Sequence, residues 1–321
     1  MVGPWWAVVL LAVPGCPAPA VTGGYRADQL APLASGASVR VAVVDSGVDA
    51  AHPLLAGRVG AGRDLLGGRE RCAGHGTAVA VAVVSVAPGA TIVAVRVADG
   101  DPGDAAGVAR VAEGIRWAAG PGRAQVINVS LVVGVDDARV RAAVAQAVRR
   151  GVVVVAAAGN DPARSRVFPA AYPGVIGVGA VLSSGEVAPF SPVGPQVDVV
   201  AAGDGGTSVA AGFVSGTAAL LRQRFPGLSP GELARRLVAT SDRSGRVNPY
   251  RALTQADLPP AVAASTRVAV EAGPGAAAGA GARGRALRFA GVVVGVVVVG
   301  AVLAVVFSRG RRRGWRAATD V

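Results

Sequence analysis

Three residues at three separate turns could cooperate in chemistry on a carbonyl group, and each stands beside an apolar run able to hold it still. Ser208 lies in Gly206-Thr207-Ser208-Val209-Ala210-Ala211, a glycine turn that leads into apolar residues 213–221. This pattern predicts a buried helix with Ser208 in its first turn. Unpaired backbone N–H groups at a helix start would surround the hydroxyl and suit an oxyanion. Such a serine is a candidate nucleophile, although a small residue at an N-cap is the commoner use of Gly-Thr-Ser. The choice of base is narrow, because the chain has two histidines. His52 adjoins Pro53 on a loop and reads as structural. His75, in Gly74-His75-Gly76-Thr77, has glycine on both sides, which leaves room for a close partner and a substrate. Asp45 ends the run Val41-Ala42-Val43-Val44. A buried strand delivering a carboxylate at its C-terminal end is where open α/β sheets carry functional groups, though taken singly Asp45 is equally a turn residue.

Such residues need a scaffold, and residues 39–250 alternate strand-like with helix-like segments. Strands are predicted at 39–44, 90–97, 125–131 and 151–156. A helix of small residues is predicted at 78–86. Val108, Val111, Ala112 and Ile115 share one helical face, as do Val140, Val144 and Val148, with Gly151 as the stop. Ser229-Pro230-Gly231-Glu232 is a capping box with proline at the first helical position. The alternation predicts an α/β fold, a mainly parallel sheet covered by helices on both faces. About 210 residues suffice for such a core without disulfides.

Asp45-Ser46-Gly47, His75-Gly76-Thr77 and Gly206-Thr207-Ser208-Val209-Ala210-Ala211 resemble the signature boxes of the subtilisin-like serine proteases, in that family's order of Asp, His and Ser. The resemblance implies the subtilisin-like three-layer fold and a triad of Ser208 as nucleophile, His75 as base and Asp45 as the group that orients it. Ala156-Ala157-Ala158-Gly159-Asn160 resembles the box whose asparagine amide completes the oxyanion hole, which gives Asn160 that role; its alternative is a loop residue after Gly159. Ser130, Leu131, Val132 and Gly134 resemble the segment that pairs with an extended peptide, and Ala157, Ala158 and Gly159 would border the adjoining pocket. Val132 replaces a glycine common in the family, and Gly212 replaces a proline. No run of alternating acids suggests a calcium loop, so no metal or cofactor is assigned.

The net charge of +12 invites a nucleic-acid reading, but eight Arg and one Asp from Arg283 onward hold +7 of it. The rest is an ordinary surface, and no nucleic acid is expected. Residues 5–13 are apolar and precede Ala18-Pro19-Ala20, the pattern of a cleaved export signal over 1–20. Residues 21–38 read as an arm against the domain surface, 39–252 as the peptidase domain, and 253–288 as an Ala/Gly/Pro-rich linker. Residues 289–307 are nineteen uncharged residues, the length of a transmembrane helix, and 308–321 form an Arg-rich tail placed in the cytoplasm by the positive-inside rule. Cys16 and Cys72 form no metal site and imply no disulfide. An exported protease tethered by one C-terminal helix is similar in layout to the mycosins of type VII secretion systems. That resemblance implies a single-pass cell-membrane protein with an extracytoplasmic protease, exported polypeptides as substrates, and a membrane secretion complex as partner. A structural component bracing such a complex, with proteolysis incidental, is the alternative.

Overall fold

Valine and isoleucine runs build the sheet. The computed structural model of the chain describes residues 25, 27–67, 73–163 and 166–258. Within them stand seven strands: β1 (Arg40–Asp45), β2 (Val59–Asp64), β3 (Thr91–Arg96), β4 (Val126–Val129), β5 (Val153–Ala157), β6 (Val175–Val181) and β7 (Val199–Ala202). All their pairings are parallel, in the order β2-β3-β1-β4-β5-β6-β7. Parallel strands buried on both faces read as continuous apolar runs, and β1, β4, β5, β6 and β7 are buried almost throughout.

Helices cover both faces. On one lie α2 (Gly74–Val86), α5 (Thr207–Arg224), α6 (Pro230–Thr240), α7 (Pro249–Thr254) and the short α1 (Ala27–Leu30). On the other lie α3 (Ala105–Ala119) and α4 (Ala138–Arg149). The expected stripes are in place: Val108, Val111, Ala112 and Ile115 are buried on α3, and Val140 and Val144 on α4, with Val148 partly covered. Gly151 stops α4 at φ +79°, and the Ser229–Glu232 capping box opens α6.

Two helices are apolar on every side, and this is the mark of central burial. They are α2 and α5, which pack directly on one another. Glycine makes the crossing close. A Cβ at Gly212 would come within 2.8 Å of both Ala82 Cβ and Val79 O. One at Gly216 would meet Val83 O at 2.7 Å. With Gly216, one helical turn on, Gly212 opens the groove that seats α2.

Within the segment 21–38, expected as an arm against the domain surface, some of the described residues reach into the core. Leu30 and Ala34 are buried, and the Tyr25 ring meets Phe213 edge-on at 5.7 Å. The helix α1 has four residues, too short to show a sequence period. At the other end α7 runs past the expected boundary at 252, and Leu253 is buried. Arg236 pins α7, donating to Ala252 O and Gln255 O at 2.5 Å each while stacking 4.4 Å from the Phe225 ring centre. Strand β2 was missed because Gly60 and Gly62 interrupt it and four of its six residues are exposed. Its register shifts between Gly60 and Arg63, where a Cβ at Gly62 would strike Ala94 O at 2.1 Å. Among the described residues no helix is long and apolar enough to cross a membrane. The expected signal (1–20), the 289–307 helix, the 308–321 tail, Cys16 and Cys72 all lie outside the described residues.

The glycine seam yields a sign test. Gly212→Ala and Gly216→Ala should each destabilise the fold by about 1–3 kcal/mol through overpacking, despite alanine's advantage of about 1 kcal/mol in helix propensity. Gly231→Ala in α6, where nothing lies within 4 Å of the added methyl, should be neutral or stabilising. Denaturant midpoints at constant slope would read this, and equal behaviour at all three positions would contradict it.

Candidate active site

The carboxyl ends of β1, β4 and β5 and the amino ends of α2 and α5 meet at one rim of the sheet. Strand order reverses beside β1, which lies between β3 and β4. Such a switch point opens a crevice in an open α/β sheet. Here it is a cleft of about 520 Å³ bordered by residues that include Asp45, His75, Ser130, Asn160, Thr207 and Ser208.

Asp45 is the last residue of β1, and its side chain is buried. Its Oδ1 accepts from Ser46 N at 2.6 Å and from His75 Nδ1 at 2.7 Å. His75 is the second residue of α2, with an imidazole that is 43% exposed. Gly76 makes this approach feasible, because a Cβ there would fall 2.1 Å from Gly47 O and 3.1 Å from Asp45 Oδ1. Donation from Nδ1–H to the carboxylate assigns the tautomer and leaves Nε2 as the free acceptor. The hydrogen bond that His75 donates to Asp45, helped by the negative charges of Asp45 and Asp101, outweighs desolvation and holds the His75 pKa above its ordinary value. His52 takes the structural place expected of it: its Nδ1 accepts from Leu54 N at 3.3 Å and caps the turn Pro53–Leu55.

Ser208 is the second residue of α5, after Gly206 at φ +117°. Its N–H lies in the first turn, beyond reach of any intrahelical carbonyl. Its Oγ donates to Ser130 O at 3.3 Å, and among the described residues no hydrogen bond joins it to His75. Asn160 stands across the turn. Its Oδ1 accepts from Thr207 N at 2.9 Å and from Thr207 Oγ1 at 3.0 Å. Nδ2 is thus the amide's free end. Gly206 must be glycine on two counts, its positive φ and a Cβ that would lie 3.2 Å from that nitrogen.

A buried polar line fixes Ser208 against the sheet. Ser215 Oγ donates to Asn128 Oδ1 at 2.9 Å, and Asn128 Nδ2 donates to Ser130 Oγ at 2.7 Å. Ser130 Oγ donates in turn to Ser208 O at 3.4 Å. Asn128 and Ser215 are wholly buried. Buried polar groups are costly unless paired, and here the two outer links tie β4 and its continuation to α5 while the middle one joins them along the strand. Sequence reasoning passed over both residues; an asparagine inside Val-Ile-Asn-Val was the available signal.

Of the residues expected to border a substrate pocket, Ser130, Leu131, Val132 and Gly159 line the cleft. Ala157 and Ala158 do not: their side chains are buried, and Ala158 N donates to Val178 O. Gly134 is exposed, past the bridge of Val133 to Phe168 that carries the chain away from the cleft. Val132 fills space above Gly159, its Cγ2 lying 3.5 Å from where a Cβ there would stand. The lining also holds Asp99, Gly100, Asp101, Asp161 and Val167, which the sequence did not single out. Buried Arg96 reaches Asp99 at 3.0 Å and Asp64 at 3.1 Å, and so anchors the loop that follows β3.

Comparison with known proteins identifies the family. The model of the subtilase family, Peptidase_S8, matches residues 36–273. This chain is a subtilase. It is 35% identical over 240 residues to Subtilisin NAT of Bacillus subtilis subsp. natto, which covers 66% of the chain and 62% of that relative's length. The subtilase therefore spans rather less than two thirds of that relative. Among solved structures it is similar to the proteases from Pseudoalteromonas arctica PAMC 21717, with a TM-score of 0.64 and 27% identity over 72% of this chain and 94% of that one. It is also similar to the serine protease MycP1, an essential component of the type VII (ESX-1) secretion system, with a TM-score of 0.63 and 28% identity over 75% and 92%.

The His75 environment gives a titration test. Its imidazole should titrate by NMR above the ordinary value of about 6.5, and Asp45→Asn should lower the midpoint. Because the folded value exceeds the unfolded one, the stability His75 contributes is fully present below about pH 6.5 and is lost as pH rises through the folded value. An unmoved midpoint in Asp45→Asn would contradict the assignment.

Proposed function

We propose that this subtilase is a serine endopeptidase in which Asp45, His75 and Ser208 act as the triad. The observation that carries the proposal is the His75 Nδ1–Asp45 Oδ1 bond, made in the cleft that Ser208 and Asn160 share. Attack requires the Ser208 hydroxyl to leave Ser130 O and turn its proton to His75 Nε2. Oγ then adds to the scissile carbonyl carbon, and the imidazolium formed is held by Asp45. His75 returns the proton to the leaving amine as the C–N bond breaks, and water repeats the cycle on the acyl-enzyme. The tetrahedral oxyanion would be received by Ser208 N–H and Asn160 Nδ2. Thr207 holds the amide in the required sense before substrate arrives, so little reorganisation is left for the reaction itself. An extended peptide would lie along the Ser130–Val132 backbone, with Gly159 at the side of the pocket.

The wider reading is a mycosin-like role. The export signal over 1–20 and the apolar 289–307 segment would place the protease outside the cell membrane with its Arg-rich tail inside. Similarity to MycP1, an essential component of a type VII secretion system, supports such a complex as the setting, in which exported polypeptides would be the substrates.

The full-length protein should label covalently with a fluorophosphonate probe, and Ser208→Ala should not. Asn160→Ala should lower kcat by about 10²–10³-fold with a much smaller change in KM. A folded wild-type protein that stays unlabelled would overturn the enzyme reading. In the native host, loss of substrate cleavage but not of secretion in Ser208→Ala would favour the bracing role instead.

A further inference from the structure

The edge of the cleft that would receive a peptide is already occupied by side chains. Val133 exchanges both backbone hydrogen bonds with Phe168, N–H to O at 2.8 Å and O from N–H at 3.0 Å. Backbone groups of successive residues in an extended segment face opposite edges, so Val132 N–H and Ser130 C=O face away from Phe168, toward the cleft. Neither is open. Ser130 O accepts from Ser208 Oγ, and Val132 N–H donates to Asp101 Oδ1 at 2.9 Å. Asp101 comes from the loop after β3 and lines the same cleft. An exposed strand edge invites pairing with another chain, and a carboxylate is an effective cap for an N–H on it.

We infer that Asp101 is a substrate-mimicking latch: its carboxylate stands on Val132 N–H in the place of a bound peptide's carbonyl oxygen, and a peptide long enough to reach Val132 must displace it. The inference rests on the endopeptidase reading above. Residues 130 and 132 lie about 7 Å apart in extended chain. A single-residue ester reacting at Ser208 ends short of Val132, whereas a peptide with three residues before the cut reaches it. Asp101 also bears on His75. The charged groups acting on that imidazole are Asp45 from β1 and Asp101 from the loop, and both raise its pKa. Displacing the carboxylate from the strand edge thus alters the base as well as the binding site.

The test compares Asp101→Ala, which removes acceptor and charge, with Asp101→Asn, which keeps an acceptor oxygen and removes the charge. Steady-state kinetics on a tetrapeptide anilide and on a single-residue ester give the ratio of their KM values. For Asp101→Ala that ratio should fall several-fold, while for Asp101→Asn it should stay near wild type. In both variants the acid limb of kcat/KM should move to lower pH. Equal ratios in all three proteins, or a ratio that rises in Asp101→Ala, overturn the latch. A KM that rises only for peptides carrying Lys or Arg overturns it too, and makes Asp101 a subsite for cationic side chains. Fluorophosphonate labelling of the wild type is scored separately, so failure of the endopeptidase reading and failure of the latch give different results.

Discussion

His75 can lie 2.7 Å from Asp45 only because the residue after it has no side chain. The first turn of α2 rests on the end of β1 so closely that a methyl group at Gly76 would fall on the Gly47 carbonyl. The rest of the site depends on that contact. It sets the imidazole on a buried carboxylate, selects the tautomer, and points the remaining nitrogen into the cleft. The glycine seam between α2 and α5 extends the same constraint, since Gly212 and Gly216 decide how near the Ser208-bearing helix approaches the one that carries His75.

Polar contacts complete what close packing begins. Ser215, Asn128 and Ser130 form a buried hydrogen-bonded line from the middle of α5 to its first turn, and Thr207 holds Asn160 from the other side. Together these bonds leave His75 Nε2, Ser208 N–H and Asn160 Nδ2 uncommitted around one small space among the described residues. Sites of this kind work through groups held in place beforehand. In the free protein the serine proton rests on Ser130 O. Substrate entry must therefore move a hydroxyl off Ser130 O and a carboxylate off Val132 N–H.

Much of this was legible before any coordinates. Continuous valine runs read as strands because a parallel sheet is covered on both faces, and His75 was nearly forced as base by there being two histidines. Ser208 read as a first-turn residue because glycine and threonine precede an apolar helix. Other features were hidden for physical reasons. Strand β2 has the glycines and exposure of an edge. Ala157 and Ala158 resemble a pocket border by position, yet the strand end turns them into the core. Asp99 and Asp101 look like solvated loop residues, and only the crossing from β3 to α3 carries them onto the cleft. The close seat that Gly212 gives α2 was hidden as well, because a groove between two helices cannot be seen in one of them.

A crystal structure of the protein after reaction with a fluorophosphonate would test the central claim most directly. The account requires phosphorus bonded to Ser208 Oγ, a phosphoryl oxygen within hydrogen-bonding distance of both Ser208 N and Asn160 Nδ2, and the His75–Asp45 bond retained. Phosphorus on another residue, or an oxygen turned away from Asn160 with the His75–Asp45 pair separated, would contradict it.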